Sequence, residues 1–356
     1  MSYGAPMLPS CPQPTRRRAG DAVRVSRGVR ARATILAAVL ACLVGVAAGS
    51  GRASSTGTSD VSIFYYPWFS NPVRDGTWAH WYVESAGGSQ VLSTRYYPTR
   101  GLYSSSNAKI VDAQMRDIAD AGIRTVVVSW WGTGSPEDAR LPLVRAAATH
   151  WGLGVAIHVE PYAGRTPAST VADIARLAAT GITDFYVYDP DTDPPSAWAE
   201  ALAGLDGVRV LAQTTLVGRA KAAGFGGVYT YDVGVWTGST FARLCAEAHR
   251  AGLLCAPSVG PGFDARLATD DTFVRPRLDG RTYDRMWKAA LGAKADIVSI
   301  TSYNEWQEGT QIEPARPQVG RRGYDGAWGM RGRAAQRAYL DDTARWTARA
   351  RALPIQ

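Results

Sequence analysis

Four times in this chain a helical pattern ends in a glycine and passes at once into a short apolar run: DAGIRTVVVS, HWGLGVAIHV, ATGITDFYVY and RAGLLCAPSV. Glycine lets a helix close in the left-handed conformation, so these segments read as turns from helix to strand. Apolar, β-rich runs at 61–66, 124–130, 154–159, 183–188, 209–213, 227–231, 253–257 and 296–300 alternate with amphipathic stretches. Among the latter are 108–121, 137–151, 169–180, 239–251 and 283–292, and one at 332–351 closes the chain. Continuously apolar strands belong to a parallel sheet covered on both faces. The pattern predicts an α/β fold, a (β/α)₈ TIM barrel with elaborated βα loops. The rival, a doubly wound open sheet, usually carries a glycine-rich turn after its first strand. Here the first strand runs into YYPWFSNP and a long loop over 70–107.

The net charge of +8 is unevenly spread. Eight of the 39 basic residues and one of the 31 acidic ones lie within residues 1–53, leaving 31 against 30 beyond them. The rest of the chain is close to neutral, and no nucleic-acid partner is implied. Residues 33–49, ATILAAVLACLVGVAAG, are apolar and follow arginines. Residues 1–53 therefore read as an export signal cleaved between 47 and 53, or as a retained signal anchor, with a linker to about 59. Val39-Leu40-Ala41-Cys42 faintly resembles a lipoprotein processing site. The expectation is a secreted or cell-surface monomer, in membrane contact only through an uncleaved leader, with a single functional domain over 60–356. Only two cysteines, Cys245 and Cys255, lie beyond the leader. They can form one disulfide or stay as buried thiols, and the sequence leaves both open.

In a barrel of this kind the polar groups gather at the carboxyl ends of the strands. Those ends carry Tyr66 and Trp68, Trp130 and Trp131, His158 and Glu160, Tyr231, and then Asn304-Glu305-Trp306-Gln307-Glu308. Aromatic faces stack on the C–H faces of sugar rings, and carboxylates and amides pair with their hydroxyls. Glycoside hydrolysis needs two carboxyl groups, and Glu305 and Glu308 are the candidates, with Trp306 expected to raise one pKa. Glu160 reads as a group for a substrate hydroxyl or as support behind one. His80, in WAHW, is a further candidate lining residue, whereas His150 and His249 fall in helical patterns. No two histidines are spaced as ligands on one element, so no metal and no cofactor is expected. No G-x-S-x-G elbow is present for a serine nucleophile.

Seven blocks in order, FYYPWFSNP, WAHW, YYPTRGLYSS, VVVSWWG, AIHVEPYAGR, PSVGPGF and YNEWQEGTQIEP, resemble glycoside hydrolase family 99 across roughly residues 62–316. The resemblance implies a (β/α)₈ enzyme that cleaves internal α-mannosidic linkages in mannan or mannose-rich glycans. It also implies retention of configuration, no metal, and a 1,2-anhydro sugar intermediate. Glu305 would then be the base at the sugar's 2-hydroxyl and Glu308 the acid, later the base for water. Tyr66, Trp68, Trp130, Trp131, His158, Glu160, Tyr231 and Asn304 would line the sugar subsites. Gln307 stands where the family motif commonly has histidine, which leaves the particular glycan open. The alternatives are the same fold acting on another α-linked polysaccharide, or a carbohydrate-binding protein without catalysis.

Overall fold

Each apolar run pairs in parallel with the next, and the last returns to the first. The computed structural model describes residues 60–85 and 87–352. The leader expected in residues 1–53 lies outside them. The strands are β1 (Asp60–Tyr65), β2 (Thr125–Trp130), β3 (Gly154–Val159), β4 (Asp184–Val187), β5 (Arg209–Gln213) and β6 (Gly227–Tyr229). They continue with β7, in two pieces (Leu254–Ala256 and Ser258–Val259), and β8 (Ile297–Ile300). The first piece of β7 pairs with β6, the second with β8, and β8 pairs with β1. Pro257 sits at the break and has no N–H to offer a ladder. The expected single run at 253–257 is thus divided, and the ring of strands closes through it. This is the TIM barrel.

The outer layer consists of α1 (Ala108–Asp120), α2 (Pro136–His150), α3 (Pro167–Ala178), α4 (Pro195–Leu202), α5 (Val217–Ala222), α6 (Phe241–Arg250), α7 (Arg281–Gly292) and α8 (Ala338–Ala352). α3 starts earlier than its periodicity suggests, because Thr166 and Ser169 form a capping box and a proline opens the first turn. The terminal pattern at 332–351 divides into a short turn, Gly332–Ala335, and α8. Cys245 of α6 and Cys255 of β7 form a disulfide that ties helix layer to barrel.

Period-two alternation sorts each strand. On β1, Phe64 points inward, against His158, Tyr186, Tyr229 and Tyr231, with ring centroids 4.7 to 5.8 Å away. Its neighbour Tyr65 points outward and donates to Gln114 of α1 at 2.6 Å. Ser258 and Ser299 share an interior hydrogen bond of 2.8 Å across β7 and β8. Aromatic rings therefore fill the barrel axis and form the floor on which the mouth is built.

Candidate active site

The segment after β8 is folded back on itself and locked to β1. Tyr303 N donates to Phe64 O at 2.8 Å. The Asn304 side chain accepts from Tyr66 N at 2.7 Å and donates to Tyr66 O at 2.9 Å. Ser302 Oγ accepts from Glu305 N at 2.8 Å. Trp306 faces away from the mouth and donates to Glu313 Oε2 at 3.0 Å. Glu313, fully buried, also accepts from Tyr103 at 2.7 Å, Gln114 at 2.9 Å and Arg100 at 3.3 Å. Such a charge is tolerated because every side of it meets a donor.

With that frame in place, Glu305 has unequal oxygens. Oε1 accepts from the backbone N–H of Gln307 at 3.1 Å and of Glu308 at 3.4 Å. Oε2 is buried and has no hydrogen-bond partner in the protein. Burial, followed by the charge of Glu308, pushes the Glu305 pKa well up, and the two backbone donors oppose that shift. Glu308 is half-buried, and desolvation with the charges of Asp232, Glu160 and Asp271 pushes it up to about 8. Above them the Tyr66 and Tyr231 hydroxyls bond to each other. Burial and the surrounding carboxylates hold both phenols protonated. Tyr231 takes a left-handed backbone, φ 45°, pinned by Ser258 Oγ at its N–H and Thr301 Oγ1 at its carbonyl. Among the described residues no group of three or more His, Cys, Asp or Glu is arranged to hold a metal ion.

A glycosyl hydrolase family 99 model matches residues 58–352. The chain belongs to glycosyl hydrolase family 99. A zebrafish (Danio rerio) glycoprotein endo-alpha-1,2-mannosidase-like protein is 32% identical over 323 residues, 73% of this chain and 72% of that one. The frog (Xenopus laevis) glycoprotein endo-alpha-1,2-mannosidase is 29% identical over 323 residues, 73% of this chain and 70% of its own. Among solved structures, the family 99 endo-alpha-mannosidase of Bacteroides thetaiotaomicron superposes with a TM-score of 0.75 at 27% identity. That match covers 83% of this chain and 99% of the other. The protein is a glycoside hydrolase with a TIM-barrel fold.

Within this family 99 barrel, the expected site residues separate by the face they occupy. Glu305, Glu308, Glu160, Tyr66 and Tyr231 interact electrostatically as one group at the mouth. Glu160 accepts from Ser129 Oγ at 2.7 Å and lies 3.0 Å from His158 Nδ1. Trp68 packs beside Tyr66 with centroids 4.6 Å apart, and its indole N–H, like that of Trp131, is buried without a partner. Three expectations need correction. Trp130 is turned outward, donating to Asp138 of α2 at 2.8 Å beneath Arg176 of α3, because alternation sends its neighbours Ser129 and Trp131 inward. Asn304 is wholly buried, with its amide committed to the Tyr66 backbone, so it holds the loop instead of lining a subsite. His158 is 1% exposed, bonded to Tyr229 at 2.9 Å and stacked under Tyr231, so it supports the floor.

Two further acids contribute that the local sequence does not mark. Asp232 follows Tyr231, accepts from Gln213 at 2.6 Å and Tyr188 at 3.2 Å, and is pushed up to about 6 by burial. Its place directly after a strand-end tyrosine was the available signal. Glu313 lies within YNEWQEGTQIEP, and nothing local in the sequence shows that Arg100 and Gln114 converge on it. The indole N–H of Trp306 is committed to Glu313, and burial first, then the charge of Glu308, raises the Glu305 pKa.

Proposed function

We propose that this enzyme is an exported, retaining, endo-acting α-mannosidase that cleaves α-1,2-flanked linkages in mannan or mannose-rich glycans through a 1,2-anhydro sugar. One observation carries the reading. Glu305 has one oxygen fixed by two backbone donors, which favour its charged form against burial, and the other bare, an acceptor place that a substrate hydroxyl can fill. In the first step Glu305 takes the proton of the sugar 2-hydroxyl, and O2 attacks C1. The glycosidic C1–O bond breaks as Glu308 gives its proton to the leaving oxygen. In the second step Glu308, now ionised, takes a proton from water, and that water attacks C1. The C1–O2 bond breaks, and Glu305 returns its proton to O2. Two inversions at C1 give net retention, and a substrate-assisted route of this kind is a known departure from the two-carboxylate scheme.

The names of the relatives support mannose as the sugar and internal cleavage as the mode. Hydrolysis of an α-mannan in which an internal α-1,2 linkage is formed by C1 of a mannose whose own 2-hydroxyl is free, with products resolved by size, is the test. Release of short oligosaccharides with the α configuration is expected, and turnover of only a non-mannose α-glycan would overturn the substrate. Export through residues 1–53 is tested by sequencing the mature amino terminus from culture medium and cell envelope. An intact leader in the cytoplasmic fraction alone would contradict it.

A further inference from the structure

The tryptophan beside the base is held by a chain of contacts that begins between the two catalytic glutamates. Gln307 gives its backbone N–H to Glu305, while its side chain acts on the His80 ring. The His80 ring lies parallel to Trp68, with centroids 4.2 Å apart and an interplanar angle of 4°. His80 is held in the left-handed region, φ 62°, where a non-glycine residue is strained and must be kept by its surroundings. Trp68 in turn packs on Tyr66, which feels the charge of both glutamates, and its indole N–H is buried without a partner. A buried unpaired donor costs free energy that a ligand oxygen can recover.

We propose that Gln307 and His80 are positioning residues that orient Trp68, so that its indole N–H binds a hydroxyl of the substrate sugar next to the base. This deepens the mannosidase reading and rests on it for the identity of the sugar. Burial, with Arg140 nearby, holds the His80 ring neutral, at about 4, so it backs Trp68 as an uncharged plate at working pH. Gln307 suits such a ring, since an amide side chain bonds imidazole without bringing a second titrating group between two carboxyls.

The test uses the full enzyme on a mannan whose cut α-1,2 linkage follows a mannose with a free 2-hydroxyl, with Trp68→Phe, Gln307→Met and the double variant. Trp68→Phe keeps an aromatic face and removes the donor, and should raise KM about tenfold, with the loss on KM greater than on kcat. Gln307→Met should raise KM in the same direction, and the double variant should be no worse than Trp68→Phe alone. Additive losses, or an unchanged KM in Gln307→Met, would overturn the proposal. A second arm needs no substrate: nitrogen-15 NMR of the His80 ring should show one tautomer in the parent and a mixture in Gln307→Met. One tautomer persisting in the variant sinks the positioning role. If the parent leaves mannan untouched, the mannan reading fails, and the NMR arm still decides whether Gln307 positions His80.

Discussion

At the residue scale, the two glutamates differ by surroundings and not by chemistry. Replacing Glu305 or Glu308 by Gln should each lower kcat by on the order of 10²- to 10⁴-fold or more, measured on a mannan whose cut linkage follows a sugar with a free 2-hydroxyl. A substrate hydroxyl reaching the bare Oε2 supplies the donor that Glu305 lacks and favours its charged form. The acid limb should therefore sit at lower pH in the kcat profile than in the kcat/KM profile. Asp232 raises the Glu308 pKa, so Asp232→Asn should move the alkaline limb, near 8 in the parent, to lower pH. A limb that stays in place would remove Asp232 from the circuit. Glu305 and Glu308 were legible in the sequence because an apolar strand delivers them directly. Asp232 and the bare oxygen were not, since desolvation depends on groups brought in from distant parts of the chain.

At the element scale, the segment after β8 acts as a rigid platform because its anchors lie outside it. Glu313 connects Trp306 to Arg100, Tyr103 and Gln114, and Arg100 also pairs with Asp117 at 2.7 Å. Glu313→Ala leaves Arg100 with Asp117 alone and takes the acceptor from Tyr103 and Gln114, and should destabilise the fold by about 1–3 kcal/mol for each donor left buried without a partner, in chemical denaturation. Loss of less than about 1 kcal/mol would show that the network contributes little. Reduction of the Cys245–Cys255 disulfide should lower stability by about 2–3 kcal/mol, judged by the short loop it closes. Glycine stops and continuous apolar strands made the element order readable. The outward turn of Trp130 was misjudged because a strand's last residue was read by position along the chain and not by the parity of its face.

At the scale of the whole molecule, the mouth collects acids whose charged forms the barrel disfavours. Glu308 moves from an ordinary 4.5 to about 8, and Asp232 from 3.8 to about 6. A carboxyl with a raised folded-state pKa contributes stability that is complete below its unfolded pKa and lost as pH rises through the folded one. The melting temperature should therefore fall between about pH 5 and pH 8, and Glu308→Gln should flatten that slope, raising Tm by about 2–4 °C at pH 8. An identical slope in the variant would contradict the burial account of this group. The central claim is that Glu305 activates the substrate's own hydroxyl, and a substrate lacking that hydroxyl tests it most directly. A mannooligosaccharide with the cut α-1,2 linkage, extended on its non-reducing side through a position other than O2 and deoxygenated at the 2-position of the sugar whose linkage is cut, should bind but not turn over. Cleavage at a rate near that of the parent sugar would contradict the account.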